Sequence, residues 1–391
     1  MSLSKAVSKK EKKEEHLDIS IKLLEESDEI DGYESSYVKL RFSGSTINTV
    51  IMNTLRRVIL SLIPTYAFNS ENINITKNTS VFNNDYVRLR LSNLPIYLTK
   101  ELNDKYRKKK NIDNLNVINS ESTLDLAKDL EYKANLGTAE IDLTAENFKK
   151  QDISNNLTIT INVKNVSDND VMNVMSNTLG VKYYYGKEQI SHIYSNPLLI
   201  IQLQPGQEFT ASMTSNLNIA MYHATYSPCS MCYYEEDDLD EHNIDFSVLS
   251  RRQISEKDII IRACKIIEKK VMNTGEIFIN SIKKYNAESY KNNKMDEESA
   301  SSEHLRVGTI VIPGEQHTIG NLISRYLQVH PDVQFAAYKV GHPNVSQVEI
   351  KYICKTNILL VIEDITDMIL NIYGSIKSNI EKMPDFGYKY I

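Results

Sequence analysis

The stretch Ser43-Gly44-Ser45-Thr46-Ile47-Asn48-Thr49-Val50-Ile51-Met52-Asn53-Thr54-Leu55-Arg56-Arg57 decides how the rest of the chain reads. The reason is its near-repetition as Pro313-Gly314-Glu315-Gln316-His317-Thr318-Ile319-Gly320-Asn321-Leu322-Ile323-Ser324-Arg325. Each run follows an alternating, strand-like segment. Each opens on a glycine followed by a threonine suited to cap a helix. Each helix then stops at a proline, Pro64 in one copy and Pro331 in the other, because proline cannot continue the hydrogen-bond ladder and restrains its predecessor. Phenylalanines (Phe68, Phe335) and β-branched residues (Ile73, Val340) recur at matching distances beyond the prolines. One strand–helix–strand unit used at both ends of a chain lets the chain pair its own halves, a pseudo-dimer.

Outward from these runs, residues 36–43 alternate at period two, as a half-buried strand does. The first helix is expected over Thr49 to Leu62, with Val50, Leu55, Val58, Ile59 and Leu62 forming one apolar stripe. Residues 1–20 read as a disordered tail, and 21–75 with 196–283 as a discontinuous first domain. Residues 76–195 are rich in Asn, Lys and Ser, with isolated strands such as 157–163, and read as an insert. Strand 198–203 leads back to a long helix from Asp258 to about Ile282, whose buried side includes Ile261, Cys264, Ile267, Val271, Phe278 and Ile282. Residues 284–304 lack apolar periodicity and read as a flexible linker, about twenty residues with a reach of roughly 25 Å. The second domain, 305–391, reads as strand, helix from Thr318 to about Val329, two strands and a final helix over 357–382. The final helix carries a stripe of Leu360, Ile365, Met368, Ile369, Ile372, Ile376 and Ile380. Pairing of the halves is expected along Leu55, Val58, Ile59, Leu62, Ile267, Val271, Phe278, Leu322, Ile323, Leu327, Ile365, Met368, Ile369, Ile372 and Ile376. Fusion makes that pairing intramolecular, at an effective concentration of order millimolar.

Thr49 to Arg57 with Ile63-Pro64-Thr65 resembles the first helix of the alpha subunit of bacterial RNA polymerase, of the third-largest subunit of the eukaryotic enzyme and of the archaeal D subunit. Gly314 to Leu322, with Phe335-Ala336-Ala337-Tyr338-Lys339-Val340 and His342-Pro343, resembles the small alpha-like partner, the eleventh subunit in eukaryotes and L in archaea. Gly206-Gln207-Glu208-Phe209 and His223-Ala224-Thr225-Tyr226-Ser227-Pro228 resemble further segments of the larger partner. The resemblance implies an α+β fold. Two alpha-like dimerisation domains pair as an intramolecular pseudo-heterodimer, and the first carries a β-rich insertion domain. It also implies a non-catalytic assembly subunit on which the two largest polymerase subunits dock, with a small alpha-associated subunit as a further partner. Similar fused subunits occur in large cytoplasmic DNA viruses. That implies an intracellular protein of the host cytoplasm, possible in the virion, with the nucleus as the cellular alternative.

Bulk composition agrees with a protein-binding role. The 391 residues are 41% hydrophobic and 25% charged, ordinary for a globular chain. The net charge of −6 is the wrong sign for a dedicated nucleic-acid binder. No stretch approaches the ~18 apolar residues of a membrane span. Four cysteines without a secretion signal point to a reducing compartment.

Candidate chemistry is sparse. Cys229-Ser230-Met231-Cys232 is a CxxC, yet zinc sites need four ligands and Cys264 and Cys354 are isolated. Two buried thiols are the preferred reading, and a metal or redox module on Cys229 and Cys232 the rival one. A stand-alone interaction protein is the other rival. His317, His342 and His223 lack the organised partners of an acid–base site. No cofactor is expected, zinc included, and catalytic magnesium belongs to the partner subunits. Arg107 to Lys110 and the acidic run Glu235 to Glu241 read as solvated loops. Arg56 and Arg57 are different. Consecutive helical residues point about 100° apart, so at least one faces away from the stripe and offers a planar, multidonor contact to a partner. Arg325 is the comparable residue in the second copy.

Overall fold

The computed structural model describes residues 17–30, 33–97, 99, 157–237, 240–292, 305–341 and 347–389. The first half opens with β1 (Ser20–Ile30) and β2 (Tyr33–Ser43), followed by α1 (Thr49–Leu62). It closes with the hairpin β10 (Cys229–Asp237) and β11 (Asp240–Ser250) and the 37-residue helix α3 (Glu256–Asn292). Its antiparallel sheet has the order β1-β2-β11-β10. Alternation puts Val38, Leu40 and Phe42 opposite Val248, Phe246 and Ile244 on the buried face. Phe42 and Phe246 meet edge to face at 5.9 Å, the arrangement that aromatic quadrupoles favour.

The second half repeats the plan in short form. β12 (Arg306–Pro313) leads into α4 (His317–Val329), then β13 (Val333–Val340), β14 (Gln347–Cys354) and α5 (Ile358–Lys382). Its sheet runs β12-β14-β13, all antiparallel. The repeated glycines have a common cause: Gly44 and Gly314 both take positive φ, 136° and 77°, where the chain turns from strand to helix. The expected threonine caps do not. Asn48 caps α1, its side chain accepting from the amides of Val50 and Ile51. Gln316 precedes α4 without a side-chain cap bond.

Between β2 and β10 the chain builds a second body. β3 (Thr65–Asn78), β9 (Glu208–Asn218), β4 (Leu157–Lys164), β6 (Val181–Tyr185) and β7 (Glu188–Ile190) form one sheet in that order. β5 (Met172–Met175) pairs with β8 (Leu199–Leu203), and α2 (Asn84–Ser92) lies against β3. Its separate core runs from Phe68 to Met213. This body is wider at both ends than the 76–195 read from the sequence, because β3 and β9 are long strands that enter it.

Four other expectations change. Residues 17–20 are docked rather than trailing: Ile19 is buried and its carbonyl accepts from Asn379 of α5. The acidic run is not a loop where it is described, since Glu235 to Asp237 belong to β10 and Asp240 to β11. Residues 284–292, assigned to the linker, continue α3. Leu360 and Met368 are 58% and 50% exposed and lie outside the buried stripe of α5. That stripe runs instead through Val361, Ile362, Ile365, Ile369, Ile372, Tyr373, Ile376 and Ile380. The expectations for the linker from 293 to 304, Arg107 to Lys110 and His342 fall outside the described residues, as does that for the side chain of Ile282.

Candidate assembly interface

The two halves share one core. A single buried cluster contains Leu55, Val58, Ile59 and Leu62 of α1, Ile267, Val271 and Phe278 of α3, Leu322, Ile323 and Leu327 of α4, and Ile365, Ile369, Ile372 and Ile376 of α5. Among the residues expected at the seam, Met368 alone is absent from it. The cause is helical phase: Met368 lies one position before Ile369, about 100° round the helix.

The helices meet in antiparallel pairs. On α3 and α5, Gly275 faces Thr366, Glu268 binds Lys377, and Lys257 reaches Asp385. Advancing along one helix thus means retreating along the other. α1 and α4 behave likewise: Arg57 donates from Nε to the Thr318 hydroxyl at 2.7 Å, and Asn48 meets the Tyr326 hydroxyl at the opposite end. α3 and α5 approach closely at Gly275, where a Cβ would stand 3.2 Å from Thr366 Oγ1.

Polar groups fix the register of this apolar seam. The Lys270 ammonium and the Glu315 carboxylate pair at 3.0 Å with side chains only 5% and 15% exposed. Lys377 donates to both carboxylate oxygens of Glu268 at 2.8 Å. The Tyr373 hydroxyl on α5 donates to the Ile51 carbonyl on α1 at 3.1 Å, and burial raises its pKa well above the ordinary value. Buried polar groups of this kind are tolerated only when matched, so they penalise slipped pairings.

The candidate docking arginines differ in setting. Arg56 is half-buried and donates from Nε and Nη2 to Asn53 Oδ1, one turn back, at 3.2 and 2.8 Å. Arg57 is exposed, and its bond to Thr318 ties it to the second half. Arg325 is exposed on α4. The outer face of the first sheet is charged: Arg41 holds Asp245 through Nε and Nη2 at 2.6 and 3.0 Å, and Lys39 bridges Asp245 to Glu235.

Residues expected to be inert have structural partners. The His223 ring caps the short turn Ala224–Tyr226, accepting from the Thr225 amide. His317 lies beside the Tyr338 ring. Cys229 and Cys232 are both buried on β10 facing the core. Residues three apart on a regular strand face opposite sides, but the register shift between Cys229 and Met231 turns both thiols inward. Burial, and then the neighbouring Cys229, push the Cys232 thiol well above its ordinary pKa, which disfavours the thiolate that metals and redox chemistry need. Among the described residues no group of three or more His, Cys, Asp or Glu side chains is placed to hold a metal ion. No described helix is long and apolar enough to cross a membrane.

Known proteins match both copies of the repeat. Residues 41–271 and residues 308–379 each match a family model described as the RNA polymerase Rpb3/Rpb11 dimerisation domain. A protein of Acanthamoeba polyphaga mimivirus that bears the name "Putative DNA directed RNA polymerase subunit R470" is 24% identical over 348 residues, covering 86% of this chain and 85% of that protein. The DNA-directed RNA polymerase subunit Rpo11 of Sulfolobus acidocaldarius is 50% identical over 40 residues, 44% of its own length. Its namesake in Sulfurisphaera tokodaii is 45% identical over 40 residues.

Proposed function

Because the chain belongs to the RNA polymerase Rpb3/Rpb11 dimerisation-domain family, we propose that it is the assembly platform of a DNA-directed RNA polymerase. Both members of the pair are fused in one polypeptide. The observation that carries the reading is the single core running through two matched domains. It gives a one-to-one pseudo-heterodimer without a partner search. The two largest, catalytic subunits dock on the α1 and α4 side, near Arg56, Arg57 and Arg325, and a small alpha-associated subunit completes the group. The chain itself makes no sequence-specific contact with nucleic acid, in keeping with its net charge of −6. Catalysis and its magnesium belong to the partners. The mimivirus relative supports a viral origin, and with it a role at cytoplasmic sites of viral transcription; a cellular origin would instead mean the nucleus.

The test is purification of the tagged chain from its native source, with mass spectrometry of what survives a high-salt wash. Two very large subunits and template-dependent RNA synthesis are expected with the wild type. The double variant Arg56→Ala, Arg57→Ala should lose about tenfold or more of that recovery while keeping its melting temperature within a few degrees. Recovery of the chain alone, or undiminished recovery by the variant, would contradict the platform reading or the docking face respectively.

A further inference from the structure

The six residues after the last helix do not trail into solvent. Met383 to Tyr388 leave α5 of the second half and are held almost wholly by the first half. Lys257, in the first turn of α3, donates to the Met383 carbonyl at 2.7 Å and to Asp385 at 3.0 Å. Glu26 on β1 accepts from the Gly387 amide at 2.9 Å. Glu256, fully buried at the start of α3, accepts from the Tyr388 amide at 2.7 Å and from the Ser250 amide at 3.3 Å. Arg252, itself buried, lies with its guanidinium 5.6 Å from the centre of the Tyr388 ring, a cation–π approach. Phe386 and Tyr388 are 4% and 5% exposed. A Cβ at Gly387 would come within 2.2 Å of Glu256 Oε2, so the segment fits its site with no room for a side chain there.

The buried part of the site favours an occupant. With the segment in place the Glu256 carboxylate is cut off from water and matched by the Tyr388 and Ser250 amides; without it, the pocket for two aromatic rings would be open to water. We propose that the first half carries a peptide-binding site, built from Glu26, Arg252, Glu256 and Lys257, whose ligand is the Asp385-Phe386-Gly387-Tyr388 segment of the same chain. The segment acts as a clasp. It fastens the end of α5 over the start of α3, opposite the end where the two halves are covalently joined. The clasp closes only when the second half is in register. This inference rests on the contacts alone and stands whatever complex the protein joins.

The experiment compares the full chain with a chain ending at Lys382. The truncated chain should melt about 3 °C or more lower, and should be cut faster by protease near Ser250 to Glu256. A synthetic peptide spanning residues 382–389 should bind the truncated chain at micromolar to millimolar concentration and restore its melting temperature. The same peptide with Phe386→Ala and Tyr388→Ala should not, and neither peptide should bind the full chain. In the full chain, Gly387→Ala should raise protease sensitivity at the same place. Unchanged melting on truncation, or wild-type and doubly substituted peptides that act alike, would overturn the clasp. Should the truncated chain fail to fold, Gly387→Ala decides alone, and wild-type protease sensitivity there would overturn it.

Discussion

Single residues set which pairing the apolar seam accepts. The Lys270–Glu315 pair joins α3 to the loop before α4 at low exposure. Removing one member of such a pair costs on the order of 3 kcal/mol, whereas replacing both with apolar residues of similar size is close to neutral. Glu315→Ala should therefore destabilise strongly in denaturant unfolding, and Lys270→Met with Glu315→Leu should recover most of the loss. A double variant no more stable than the single one would remove this pair from the account. Asp245 gives a pH signature. Hydrogen bonds from Arg41, then the nearby charges of Arg41 and Lys39, hold its carboxyl below the ordinary 3.8. A group depressed on folding stabilises the protein above its unfolded pKa and loses that contribution as pH falls through the folded one. The melting-temperature advantage of the wild type over Asp245→Asn should be constant above about pH 5 and shrink towards pH 3. These residues were not legible beforehand. Lys270 gives no sign of Glu315 beyond the end of its helix, nor Asp245 of Arg41, 204 residues earlier in the chain, and the run Glu235 to Glu241 read as a loop because the Lys39 partner of Glu235 lies 196 residues away.

Helices were far more legible than the contacts between them. α1 has the expected bounds, Thr49–Leu62, because its apolar spacing and Pro64 state both face and end. The stripe on α5 was partly misread because apolar residues run consecutively at Ile358 to Ile362 and again at Met368 to Leu370. Spacing alone cannot choose a phase there, and contact with α3 decides that Met368 faces out. β1 went unrecognised because its inner positions are few and its charges many (Glu25, Glu26, Asp28, Glu29). Gly275 had no reading at all until α5 was seen against it. Its absent side chain brings α3 close to Thr366. Gly275→Val should cost about 1–3 kcal/mol by overpacking, despite its better helix propensity. Thr366→Ala should restore most of that in the double variant. Equal destabilisation with and without Thr366→Ala would mean that the contact is not what the glycine serves.

On the scale of the whole molecule, the repeat at Gly44 and Gly314 was sufficient to see two related halves, but not how unequal they are. The first half carries a second body with its own core. The repeated phenylalanines part company there: Phe68 is fully buried in that core, and Phe335 is 49% exposed on the small sheet. The same repeat position thus serves two different surroundings, which no comparison of the two runs could reveal. The central claim is that the halves form one intramolecular pair through α1, α3, α4 and α5. Its most direct test is to place a protease site within residues 293–304, cleave the folded protein, and measure the mass of the product in solution by light scattering after size exclusion. The account predicts a species of unchanged mass holding both fragments in equal amounts, with a melting temperature close to that of the intact chain. Two separate fragments, each migrating alone at micromolar concentration, would contradict it.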